Sequence, residues 1–207
     1  MTQRPKPPET LFDIENIGTF TPAPEIIDWA RQTLINEGAS LHNPEHAHLE
    51  HAIIGALWTN VPNSKNGRVI LAQAEPGDPM AMGKWAKARA RQQVEQWFGN
   101  IPDFILTFDA GYAATCSDIE FCALVDHELM HCAQATDEYG QPKFSRTTGL
   151  PIWAMRGHDI EEFTSIVRRY GAEAAHADAF IQAARQGPEI GEASIARACG
   201  VCLPRAA

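Results

Sequence analysis

The sequence lacks the features that mark several large protein classes. No apolar run approaches the ~18 residues that a membrane-spanning helix requires. The opening stretch, MTQRPKPPET, holds no apolar signal segment, which makes a cytoplasmic protein the expectation. Basic residues are scarce: 17 Lys and Arg stand against 26 Asp and Glu, for a net charge of −9. No dense Lys/Arg cluster interrupts that balance, so neither a nucleic acid nor a membrane surface is expected as partner. Cysteine is sparse and odd in number, at positions 116, 122, 132, 199 and 202. An odd count without a secretory signal argues against a disulfide framework. No internal repeat is present.

What is present suits one folded domain with trimmings, or two very small ones. The chain has 207 residues, 44% of them apolar, enough to bury a core. Residues 1–24 carry five prolines and little periodicity, and read as an extended or mobile arm. Short helices are expected over 26–35 and from Pro44 through about Trp58, where Leu49, Ala52, Ile53, Ala56 and Leu57 recur at helical spacing. Arg68–Ala74 reads as a strand and Lys84–Trp97 as a helix closed by Gly99. Residues 103–109, DFILTFD, read as a second strand. Ser117 and Glu120 fit a capping box, opening a helix that should run to about Ala135. A loop over 137–150 leads to a helix over 160–170, with Ile160, Phe163, Ile166, Val167 and Tyr170 on one face. The Ala-rich segment 172–207 suggests further helix, interrupted at Gly187-Pro188. The order implies an α+β fold with a small sheet.

The chemistry concentrates in His127-Glu128-Leu129-Met130-His131. On a helix, residues four apart share a face one turn apart, so both imidazoles can reach one Zn²⁺ at ~2.0–2.1 Å. Glu128 lies about 100° round the helix. It is too offset to ligate easily, and well placed to take a proton from water activated by the metal. With this chain's His and Glu content, the pattern should arise by accident in about 2 of 100 chains of this length.

A catalytic zinc usually takes three protein ligands and leaves one position open. Candidates for the third lie in the segment 156–163, RGHDIEEF. Glu161 and Glu162 point away from the apolar face of the helix that follows, whereas His158 and Asp159 stand at or before its start. The ranking is His158, then Asp159, then Glu162, imidazole being well suited to zinc.

These residues carry a family resemblance. LVDHELMHC, DEYGQPKF and RGHDIEEFTSIVRRYG, with NPEHAHLEHAIIGALWT upstream, resemble the phage metallopeptidases over most of residues 26–171. The spacing is also similar to the minimal zincins of the SprT and WLM type, where a later His closes the metal site. The resemblance implies a zincin-like peptidase domain over 25–171: a small sheet packed on the HExxH helix, with additional N- and C-terminal helices and the C-terminal extension packed on the same domain. It also implies a peptide or protein substrate and, for a phage protein, the host cytoplasm. In such folds a strand beside the metal helix binds substrate by strand addition, and residues 103–109 are the candidate.

Other signals are weaker. His46, His48 and His51 can bind metal as a cluster, but only His46 falls on the apolar face, and an exposed or capping role is the simpler reading. Cys199-Gly-Val-Cys202 is a lone CxxC, and Cys116 and Cys122 could complete a zinc site only if the chain folds back. Cys122 and Cys132 otherwise read as buried thiols. Tyr112, Tyr139 and Tyr170 are candidate oxyanion donors. Asp126 is a candidate to orient a ligating His, or a solvated helix residue. The expectation is a zinc metallopeptidase with ligands His127, His131 and His158 and general base Glu128. The alternatives are a non-catalytic zincin-fold regulatory module and a phage structural protein.

Overall fold

A computed structural model describes residues 3–65, 67–160, 164–172 and 177–193. The elements run β1 (Phe20–Pro22), α1 (Pro24–Ala30), β2 (Ile54–Thr59), β3 (Asn63–Lys65), β4 (Arg68–Ile70), β5 (Ala72–Pro76), α2 (Lys84–Phe98), β6 (Phe104–Asp109), α3 (Ala110–Thr115), α4 (Asp118–Met130), β7 (Cys132–Gln134), β8 (Trp153–Met155), α5 (Thr164–Tyr170) and α6 (Asp178–Gln186). This is an α+β fold built on a small mixed sheet.

The main sheet has the order β1-β2-β6-β5. β2 and β6 are parallel, with Ile54 beside Phe104 and Thr59 beside Asp109, while β1 and β5 join antiparallel at the edges. Alternation splits the side chains between two faces. Ala56, Trp58, Phe104, Leu106 and Phe108 face the core shared with α1 and α4, where Ile26, Phe121, Leu124, Val125 and Leu129 are buried. Phe121 sits at its centre, with ring centroids 5.6 Å from Trp29, 5.9 Å from Trp58 and 5.9 Å from Phe108. Truncating such a buried ring costs about 3–5 kcal/mol. On the opposite face Leu57 and Ile105 meet Val94, Trp97 and Phe98 of α2.

Local chemistry explains the helix ends. Gly99 closes α2 in the left-handed region at φ 76°, its N–H bonding Glu95 O at 2.8 Å. Asp109 ends β6 and caps α3, accepting the Tyr112 N–H at 2.6 Å. The capping box is present: Ser117 Oγ accepts from the Glu120 N–H, and Glu120 accepts from the Ser117 N–H at 2.9 Å. Ser117's bonds hold the Glu120 carboxyl below its ordinary value.

Several elements differ from the sequence expectation. The segment expected as helix from Pro44 to Trp58 is a 3-10 turn over Pro44–His51 followed by β2. All six residues of β2 are buried, and a strand covered on both faces reads as a continuous apolar run rather than an alternation. The expected strand 68–74 divides: β4 pairs with β3 as a hairpin, and β5 joins the main sheet. The helix expected to reach Ala135 stops at Met130, because Cys132 begins a ladder with β8. The helix expected over 26–35 leaves α geometry at Arg31 and finishes as a π turn. Within residues 1–24, β1 extends the sheet, and Arg4 is buried. Its guanidinium donates to Ala113 O (2.8 Å), Cys116 O (2.6 Å) and Asp118 (2.7 Å). It thereby satisfies carbonyls at the end of α3 and pairs an acid at the start of α4. Of the helix expected over 160–170, residues 164–170 are helical, and Glu161, Glu162 and Phe163 lie outside the described residues.

Candidate metal centre

The site forms where α4 ends. Met130 is the last helical residue and His131 the cap, so His127 and His131 stand on the final turn with one face in common. The chain then enters β7, turns through a long hairpin and returns as β8. The β7–β8 register sets Cys132 opposite Met155, so His131 faces Arg156 just past the ladder. Arg156 N–H donates to His131 O at 2.9 Å. Two residues further on, His158 reaches the same face.

The three imidazoles converge. Ring centroids are 5.1 Å apart for His127–His131, 5.3 Å for His127–His158 and 5.0 Å for His131–His158. One nitrogen from each ring lies within 4.8 Å of the other two. Three neutral imidazoles are a donor set that zinc and similar borderline metals favour. The ring of His131 is also oriented. Its Nδ1 lies 2.7 Å from Arg156 O. A carbonyl can only accept, so Nδ1 carries the proton and Nε2 keeps its lone pair for a cation. His131 is 2% exposed and Glu128 0%, whereas His127 and His158 are half-buried. The cluster is thus rooted in the core and open on one side.

Among the described residues no fourth His, Cys, Asp or Glu joins the group. Asp159, the second-ranked candidate, lies outside it, with Oδ1 2.7 Å from Arg156 Nη2. Glu162, the third, lies outside the described residues, as do Cys199 and Cys202. Cys116, Cys122 and Cys132 are free thiols. Burial, with the nearby Asp126 charge, pushes the Cys122 thiol up to about 11, far from the thiolate that binds metal.

Of the EHAHLEH histidines, His51 is exposed as expected, whereas His46 and His48 are not. His46 is fully buried, with Nε2 2.6 Å from Asp126 Oδ1. Asn43 has two roles: its Oδ1 caps the 3-10 turn, accepting from Glu45 N–H at 3.1 Å, and its Nδ2 donates to Asp126 at 3.0 Å. Burial alone would push the Asp126 carboxyl up, but the bonds from His46 and Asn43 hold it below its ordinary value. Asp126 is thus half-buried and anchors α4 to the 43–51 segment. His48 strengthens that joint, its Nε2 lying 2.7 Å from Cys132 O.

Of the tyrosines, Tyr112 lies in α3 beside Cys116 and Glu120, near the end of α4 opposite to His131. Tyr139 is exposed in the hairpin between His131 and His158, and Tyr170 ends α5. Residues 103–109 cannot receive a substrate strand: β6 is flanked by β2 and β5, and its backbone groups are taken on both sides. β5 is an edge strand of the main sheet, and it packs against α4 and approaches β8. Sequence reasoning missed Arg156, Glu45 and Asn43, whose roles depend on pairings 83–111 residues apart along the chain.

A small mixed sheet with a helix bearing two histidines and a third returning from a later loop defines a zincin-like domain. The chain matches the family described as "Putative phage metallopeptidase" over residues 27–185, and it belongs to that family. No curated protein and no solved structure matches it.

Proposed function

We propose that this chain is a zinc-dependent metallopeptidase in which His127, His131 and His158 hold the metal and Glu128 is the general base. The observation that carries this reading is the convergence of three imidazoles beside a buried glutamate on one helix. Three protein donors, with no fourth among the described residues, favour a catalytic over a purely structural site, where protein ligands fill all four positions. A zinc ion held there supplies Lewis acidity, polarising the scissile carbonyl and bringing the pKa of water toward ~7. Glu128, in a water-poor setting, accepts the proton of the attacking water and passes it to the leaving amine nitrogen. His131 is oriented for its role by the Arg156 carbonyl.

The substrate would lie along β5. Among the described residues this strand has a sheet neighbour on one side only, and it packs against α4. Its antiparallel partner β6 uses the N–H and C=O groups of alternate residues, and Asp109 N–H bonding Leu71 O at 2.8 Å fixes which ones. The groups of Ala72 and Ala74 therefore point away from β6, at residues only 2% and 3% exposed, so pairing with an extended peptide requires that side of β5 to open.

The test is Glu128→Gln. It should bind zinc stoichiometrically by elemental analysis yet lose at least ~100-fold in peptide turnover, the range set by general-base catalysis. Full activity in that variant, or purified protein without stoichiometric transition metal, would overturn the reading.

A further inference from the structure

We propose that Arg156 is a positioning residue that holds the third metal ligand in place through a fork between two chain segments. The inference rests on the metal reading above. Arg156 contacts the site in two independent ways. Its backbone exchanges two bonds with His131: Arg156 N–H to His131 O at 2.9 Å, and His131 Nδ1–H to Arg156 O at 2.7 Å. Its guanidinium then reaches outward on two arms, Nη1 to Glu45 Oε2 at 3.1 Å and Nη2 to Asp159 Oδ1 at 2.7 Å.

The two arms tie different parts of the fold. Glu45 belongs to the 3-10 segment that His46, through Asp126, fastens to α4. Asp159 is the neighbour of His158. Gly157, which separates Arg156 from His158, has open space around it and does nothing to fix the loop by packing. Arg156 grips the chain on both sides of His158: itself at 156 and its fork at 159. The planar guanidinium can hold two carboxylates in fixed directions, which a lysine ammonium cannot.

Thermodynamics separates this from a general bracing role. The side chains of Arg156, Glu45 and Asp159 are 39%, 59% and 72% exposed. Exposed pairs add little to folding stability. Their effect is on loop position, and it shows in how tightly a metal is held, because outer contacts that orient ligands typically change metal affinity 10–100-fold.

The experiment is a competition titration of Zn²⁺ against a chromophoric chelator, with thermal melting of the metal-free proteins alongside. Arg156→Ala should weaken zinc binding about 10–100-fold. Arg156→Lys, which keeps the charge but not the fork, should fall between it and the unaltered chain. Glu45→Gln and Asp159→Asn each remove one arm, and each should weaken zinc several-fold. All four should melt within about 4 °C of the unaltered metal-free protein. Zinc affinity in Arg156→Ala within twofold of the unaltered chain would overturn the inference and leave the metal reading standing. So would a metal-free melting loss well beyond that window, which would make Arg156 a brace of the whole fold. An unaltered chain that binds no zinc would instead remove the metal reading itself, and the fork with it.

Discussion

His46 and Asp126 meet across 80 residues of chain, with Nε2 2.6 Å from Oδ1. The contact matters because Asp126 directly precedes His127. It fixes the last turn of α4 to the 3-10 segment, and Asn43 adds a second bond to the same oxygen. Replacing His46 with Ala removes a buried ring and leaves Asp126 with one fewer donor. Hydrogen bonds to charged groups contribute about 1.5–3 kcal/mol, so His46→Ala should lower unfolding free energy by about 2–4 kcal/mol in urea denaturation. The pH dependence has a defined sign. Asp126 is held below its ordinary value in the fold, so its stabilisation is full above the unfolded value of ~3.9 and is lost as pH falls through the folded value. The stability gap between the unaltered chain and Asp126→Asn should therefore be widest above about pH 5 and narrow on acidification. A gap that widened below pH ~4 would contradict the contact as described.

This joint also marks how far the sequence alone reaches. The HExxH helix, its Ser117–Glu120 capping box and the return of His158 were legible, because each depends on spacing within a few residues or on a ranking of donor chemistry. His46 was legible only as a histidine on an apolar face; its partner is far along the chain, and nothing local names it. β2 was misread because burial on both faces erases the alternation that marks a strand. The central position of β6 was likewise hidden, since strand order is set by long-range pairing rather than by composition. Residues 103–109 looked suited to substrate because they lie close before α4 in sequence, but β6 is central and β5 is the edge strand.

Removal of the metal should have a clear thermal signature. A ligand present at about 1,000 times its Kd stabilises the folded state by about 4.1 kcal/mol. For a domain of this size each kcal/mol moves Tm by about 2–4 °C, so chelation should lower Tm by about 8–16 °C. His158→Ala keeps two imidazoles and loses the third. It should lose most of the zinc-dependent shift while its metal-free Tm stays near that of the unaltered protein. A His158→Ala protein that retained the full shift would show that another residue completes the site.

Gly55 tests the packing between the sheet and α2. A Cβ built there would stand 2.7–3.0 Å from three atoms of the Phe98 ring. Phe98 packs with Leu57, Val94 and Ile105, so the ring has little room to withdraw. Gly55→Ala should destabilise by about 1–3 kcal/mol, measured by denaturant midpoint. A double variant with Phe98→Leu should recover part of that loss. If Gly55→Ala were as stable as the unaltered chain, the close approach would not constrain the fold.

The substrate reading can be tested from the peptide side, without disturbing the fold. Strand addition uses the backbone groups of alternate substrate residues, because the others point away from the edge. The Ala72 and Ala74 groups on β5 define that alternation. N-methylation removes one N–H at a time from a cleavable peptide. At positions in register with the edge it should raise KM about 3–13-fold, the equivalent of a lost hydrogen bond of about 0.6–1.5 kcal/mol. At the intervening positions it should change KM little. Because the bonds hold substrate in the ground state as well, kcat should move less than KM. A uniform effect at every position, or none at any, would rule out pairing along β5. Peptide recognition would then have to come from side-chain contacts with the hairpin between His131 and His158, where Tyr139, Phe144 and Leu150 are exposed.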